Sequence, residues 1–179
     1  SLTEGGQVRD VSLARQLNIM YRSFLKGQAD PALQDRIVEL EADVEQLFNN
    51  HRSKVGDKQL SENDVREILS TTKDSAEAES AWKGYMEVGV KEQANLRELV
   101  GLRNQMAKQL GFKNYYSMSL SLQEIVEEDF LKLFDELDEL TREPFAGIKA
   151  GIDAAQAKRF GIKVSELRPW HFNDLFFQE

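Results

Sequence analysis

Apolar residues recur along this chain at three- and four-residue intervals, and the few Pro and Gly residues fall between those runs or close to their ends. That spacing predicts amphipathic helices, and no strand-like alternation competes with it. Leu13, Leu17, Met20 and Phe24 predict a helix from about Val8 to Lys26, ended by Gly27. Asp30-Pro31 opens the next, an N-cap acceptor followed by a residue whose missing N–H costs nothing in a first turn. Its stripe is Leu33, Ile37, Leu40, Val44 and Leu47.

A polar gap at Gly56-Asp57-Lys58 leads to Ser61, which caps a short helix carrying Val65, Ile68 and Leu69. The longest element runs from about Ser75 to Leu110, through Ala78, Trp82, Tyr85, Leu96, Leu99 and Met106, with Gly111 placed to stop it. A second apolar row, Met86, Val90, Ala94, Val100 and Ala107, marks it as the central helix, contacted from more than one side. Gly84, Gly89 and Gly101 would each let a neighbour approach closely, at about 1 kcal/mol apiece in helix propensity.

Asn114 is placed to cap a short helix with Tyr115, Tyr116, Met118 and Leu120, after which Ser121 and Glu124 stand at capping-box spacing. Phe130, Phe134, Leu137, Thr141, Phe145, Ile148, Ile152 and Ala155 keep one helical phase straight through Pro144. An unbroken phase across a proline predicts one long helix, bent there. Gly161 closes it, and residues 165–170 add one turn. The fold class is all-α: an elongated multi-helix bundle with long central helices, forming a single lobe over residues 1–179.

At 179 residues, with 41% apolar and 30% charged residues, the chain has the make-up of one folded domain or one lobe of a larger one. Its 31 acidic against 23 basic residues give a net charge of -8, which repels phosphate backbones and anionic headgroups. Nucleic acid and membrane are therefore excluded as partners. The absence of Cys removes disulfides, thiolate nucleophiles and cysteine-held zinc, while leaving the compartment open. Cytoplasm is favoured over export. Ser1-Leu2-Thr3-Glu4-Gly5-Gly6 has no initiator Met and no signal core and reads as a cut. At the other end Trp170, His171, Phe172, Phe176 and Phe177 demand burial, either on this chain or against something absent from it. They are the expected domain interface, and self-association of the isolated chain follows from it.

Candidate chemistry is sparse. The two histidines, His51 and His171, lie far apart and neither sits in HExxH, which would place two imidazoles and a general-base glutamate on one helix. His51 reads as a packed or helix-end histidine, and His171 with Asp174 supplies too few ligands for a metal. Glu124, Glu127, Glu128 and Asp129, with Asp135, Glu136, Asp138 and Glu139, read as the solvated face and favourable N-terminal charge of a helix, without the calcium-loop pattern. No phosphate-cradling loop or nucleophile elbow is present. No catalytic or metal-binding residue is assigned to this chain.

Two segments go beyond generic helix. Leu99 to Tyr116, in which Arg103, Asn104, Gly111, Tyr115 and Tyr116 stand out, resembles the LxxLRNxxAxxLGFxNYY stretch of bacterial peptidases related to angiotensin-converting enzyme and the oligoendopeptidases. Pro169-Trp170-His171-Phe172-Asn173-Asp174-Leu175-Phe176-Phe177-Gln178-Glu179 is similar to the PWHYxDPFFQE segment of the same group, with Phe172 in place of Tyr and Leu175 in place of Pro. Trp82 with Gly89, Asp138-Glu139-Leu140-Thr141 and Pro144-Phe145 fit the same pattern, so the likeness spans nearly the whole chain.

The resemblance implies a parent that is an α-helical zinc oligopeptidase or peptidyl-dipeptidase, cutting short peptides in a deep cleft. Its zinc helix would follow Glu179. This chain would be the N-terminal, lid-side, non-catalytic part, without a cofactor of its own and inactive alone, its partner being the remainder of its own polypeptide. A stand-alone helical binding or scaffold module, or a pseudoenzyme, using the aromatic C-terminal segment as its interface is the competing expectation.

Overall fold

The computed structural model describes residue 8 and residues 10–177. Residues 1–7, residue 9, Gln178 and Glu179 lie outside them, and with them the start that was expected to be a cut and the last two residues of the aromatic motif. Six helices, α1 (Val11–Leu25), α2 (Pro31–Asn50), α3 (Glu62–Thr71), α4 (Ser75–Gln109), α5 (Tyr115–Leu122) and α6 (Glu127–Phe160), make the described chain predominantly helical. The all-α expectation holds. Short 3-10 turns follow α1 at Lys26–Gln28 and close the chain at Val164–Glu166 and Pro169–His171. Contacts divide it into two compact units, residues 1–42 with 95–133 and residues 43–94 with 134–179.

In the first unit, Asp30 Oδ1 accepts from Leu33 N at 3.0 Å, starting α2 at the predicted cap. Leu33, Ile37 and Leu40 of α2 close on Leu99, Met106 and Ala107 of α4 and Met118 of α5. This is the stripe the sequence shows, and burying each large apolar side chain contributes about 2 kcal/mol. Helix α1 buries no residue. Its ties are ionic: Arg15 forks onto the Glu124 carboxylate and Arg22 donates to the Ser121 carbonyl. The Arg15 hydrogen bonds hold the Glu124 carboxyl below its usual range. Glu124 itself has φ 63°, and α6 begins only at Glu127. The Ser121–Glu124 pair is thus no capping box, because Ser121 still belongs to α5.

In the second unit the polar gap is a β-hairpin, Ser53–Val55 paired with Lys58–Leu60, which the sequence reading did not foresee. Gly56, at φ 60°, opens its two-residue loop, as a turn with Gly at the first loop position requires. The hairpin is seated on α4 at Gly84, where a Cβ would meet the Lys54 carbonyl at 3.1 Å. Gly89 and Gly101 face open space, so the close approach expected of all three belongs to Gly84 alone. Ser61 and Asp64 cap α3 reciprocally. Val65 and Leu69 then pack with Ala78, Ala81, Tyr85 and Leu175.

Helix α6 runs unbroken through Pro144, as its phase predicts. Gly161, at φ 68°, ends it, with Ile162 N donating to the Ala157 carbonyl. The stripe on its middle turns is uncovered: Leu137, Phe145 and Ile148 are 43%, 55% and 64% exposed. A period of 3.6 shows which residues share a face, not whether anything covers that face.

Candidate functional site

The aromatic C-terminal segment folds back onto the second unit. Pro169 fixes the first position of a 3-10 turn, which brings Trp170 and His171 against α4 and α6. Trp170 meets Trp82 with ring centroids 6.0 Å apart, and His171 meets Phe160 at 4.7 Å. The geometry fixes the His171 tautomer. Arg168 N donates to Nδ1 at 2.9 Å, so Nε2 carries the hydrogen and donates to Ser75 Oγ at 2.8 Å. Burial, and then the nearby Arg168 charge, push the imidazole below its ordinary pKa, and Glu79 only partly opposes them. His171 is a neutral, buried, hydrogen-bonded histidine.

Beyond it, Asp174 is buried and accepts from Arg66 Nη1 at 2.6 Å and from Phe176 N at 2.8 Å. Arg66 also holds Glu62 through Nε at 2.9 Å, and Glu62 accepts from the Tyr85 hydroxyl at 3.1 Å. Burial foremost, with the Glu62 charge adding to it, pushes the Tyr85 phenol up to about 12. Leu175 enters the core, whereas Phe176 stays half exposed with its edge toward Tyr85 and the Arg66 guanidinium over its ring. Lys149 of α6 lies 4.9 Å from the Phe172 ring and 5.3 Å from the Phe177 ring. Arg159 donates to the Leu69 and Thr72 carbonyls at the end of α3 and to the Asn173 side chain, stitching helix end to tail.

The first motif likewise folds upon itself, inside the first unit. Gly111, at φ 86°, turns the chain, and Asn104 Oδ1 accepts from Tyr115 N at 2.9 Å across that turn. Arg103 sits 5.2 Å from the Tyr115 ring centroid while pairing with Glu41 at 2.7 Å, and Asn114 caps α5 through Ser117 N. Tyr116 stays largely exposed. Arg66, Lys149 and Arg159 escaped the sequence reading, and Tyr85 was visible there only as a member of an apolar stripe. Only the Glu62–Arg66 spacing of four was visible there; the distant partners are set by the fold.

The family model described as angiotensin-converting enzyme matches residues 4–155. No curated protein and no solved structure matches the chain. The Arg103–Tyr116 motif lies within the matched stretch and the aromatic C-terminal segment beyond it. Peptidases of that family generally use zinc, and the residues here do not fit such a site. Among the described residues no three His, Asp or Glu side chains come together. His51 Nε2 is 3.1 Å from the Gly84 carbonyl, and both ring nitrogens of His171 are engaged. The match covers most of the chain, and with it the turn that Arg103, Asn104 and Tyr115 build: this chain belongs to the angiotensin-converting enzyme family of peptidases.

Proposed function

We propose that the chain is the non-catalytic, N-terminal part of a zinc-dependent oligopeptidase or peptidyl-dipeptidase acting on short peptides, and that it is inactive alone. The family match across residues 4–155 carries the reading. The chemistry of the side chains supports its second half. Hydrolysis by such an enzyme needs imidazole and carboxylate ligands that lower the pKa of a metal-bound water, and the two histidines here are committed to backbone and hydroxyl partners.

In this reading the rest of the parent polypeptide covers apolar surface left open here, on α1, where Tyr21 and Phe24 are 62% and 66% exposed, and on α6. Trp170, His171, Phe172, Phe176 and Phe177 are on this reading part of the interface with the rest of the polypeptide, Phe176 being half exposed. The bacterial peptidases and oligoendopeptidases named above are kin of the parent on this account. The test is to measure zinc and peptide cleavage in the product of the full reading frame beside this chain. A zinc-loaded, cleaving long protein and an inert chain support the reading; a long protein without zinc or cleavage moves the function to binding.

A further inference from the structure

The turn that carries the aromatic tail hangs on one imidazole. His171 is 3% exposed, and in its neutral form each ring nitrogen already has a partner. Nδ1 accepts from the Arg168 N–H within the turn itself, at 2.9 Å, and Nε2–H donates to Ser75 Oγ at the start of α4. Ser75 Oγ also accepts from Trp170 Nε1 at 3.3 Å, so one hydroxyl holds both rings of the turn. The same bonds exclude a nucleophilic Ser75–His171 pair, because Nε2 carries a hydrogen and cannot take one from the hydroxyl.

A second proton has one place to go, Nδ1, and there it faces the Arg168 N–H, donor against donor. Turning the ring over only sets C–H groups against both partners. The surrounding charges do not relieve this. Arg168 stands on the same turn, Arg159 of α6 lies over the Phe160 ring that His171 touches, and Lys83 of α4 lies over the Trp170 ring. Glu79 of α4, which favours a charged imidazole, is paired with Lys83, and Asp74 beside Ser75 is turned to the Ala76 N–H.

We propose that His171 is a pH-operated latch on the aromatic tail: a proton on Nδ1 breaks the bond to Arg168 N, the turn at residues 169–171 lifts from α4 and α6, and Trp170 leaves Trp82 while the helices stay folded. Burial foremost, and then the Arg168 charge, push the closed imidazole below its ordinary pKa, which sets the direction. The latch is fully closed above about pH 6.5, where a released histidine is neutral. Below that, the ratio of open to closed rises up to about tenfold per pH unit until the lowered value of the closed form is reached. Farther along, Arg66 on Asp174 and Leu175 in the core involve no histidine, which keeps the opening local. The latch acts on the segment assigned above to the interface with the rest of the polypeptide, but its test runs on this chain and is independent of zinc and cleavage.

The chain is titrated from about pH 8 to about pH 5, reading acrylamide quenching of its two tryptophans, Trp82 and Trp170, far-UV circular dichroism, and the ring nitrogens of His171 by NMR. The expected result is an Nε2–H ring at the alkaline end, quenching that rises reversibly with the protonation of His171, and an unchanged helical signal. His171→Asn, whose Oδ1 can still accept from Arg168 N and whose side chain does not titrate, should give flat quenching. Arg168→Gln, which keeps the N–H and removes the opposing charge, should raise the His171 midpoint and shrink the rise in quenching. Quenching that stays flat while His171 takes up its proton, that follows His51 instead, or that changes only as the helical signal collapses would overturn the proposal. A His171 that stays neutral throughout, or a titration unaltered by Arg168→Gln, would do the same.

Discussion

Gly84 of α4 lies against Lys54 of the hairpin so closely that a Cβ on the glycine would stand 3.1 Å from the Lys54 carbonyl oxygen and 3.2 Å from Ser53 Cβ. The hairpin backbone is held by its own pairing and cannot easily retreat. Gly84→Ala should therefore lose more from the clash than the roughly 1 kcal/mol gained in helix propensity. Gly89→Ala and Gly101→Ala meet open space and should stabilise the chain by up to about 1 kcal/mol each. Urea unfolding of the three variants checks the opposite signs.

His171 makes stability depend on pH. Its folded pKa lies below the ordinary 6.5, so the unfolded chain binds the proton more readily and stability rises with pH through that window. Stability is full above about pH 6.5 and declines as the pH falls toward the lowered folded value. The expected outcome is a steeper loss between neutral and mildly acidic pH for the natural chain than for His171→Asn, whose side chain does not titrate. Parallel curves would contradict the buried neutral imidazole.

Arg66 joins Asp174 of the tail to Glu62 of α3. Arg66→Met should cost about 2 kcal/mol, since a buried carboxylate loses a charged donor. Asp174→Asn should cost less, because an amide oxygen still accepts from Phe176 N. Thermal unfolding of both variants, with Trp fluorescence reporting Trp82 and Trp170, checks the order.

Asn104 carries the turn at Gly111 through its acceptor bond to Tyr115 N. Asn104→Ala leaves that N–H without a partner and should cost about 1 to 2 kcal/mol, whereas Asn104→Asp keeps the acceptor and should cost less. Chemical denaturation of the two variants distinguishes them.

Much of this fold is legible in local chemistry. The caps at Asp30, Ser61 and Asn114 and the stops at Gly111 and Gly161 depend on a few adjacent residues, and each stands where the sequence puts it. The hairpin was not legible, because three-residue strands reading Ser-Lys-Val and Lys-Gln-Leu show no apolar alternation and are held by a glycine on a distant helix. The α6 stripe was visible as a stripe, but a lone sequence cannot say whether Ile148 meets a neighbour or water.

The most direct test of the central claim is zinc content together with peptide cleavage, measured on the product of the full reading frame and on this chain side by side. The account predicts about one zinc per long chain, cleavage of short peptides abolished by a chelator, and neither property in the 179-residue chain. Stoichiometric zinc or chelator-sensitive cleavage in the short chain would contradict it, as would a long protein that binds no zinc and cuts nothing.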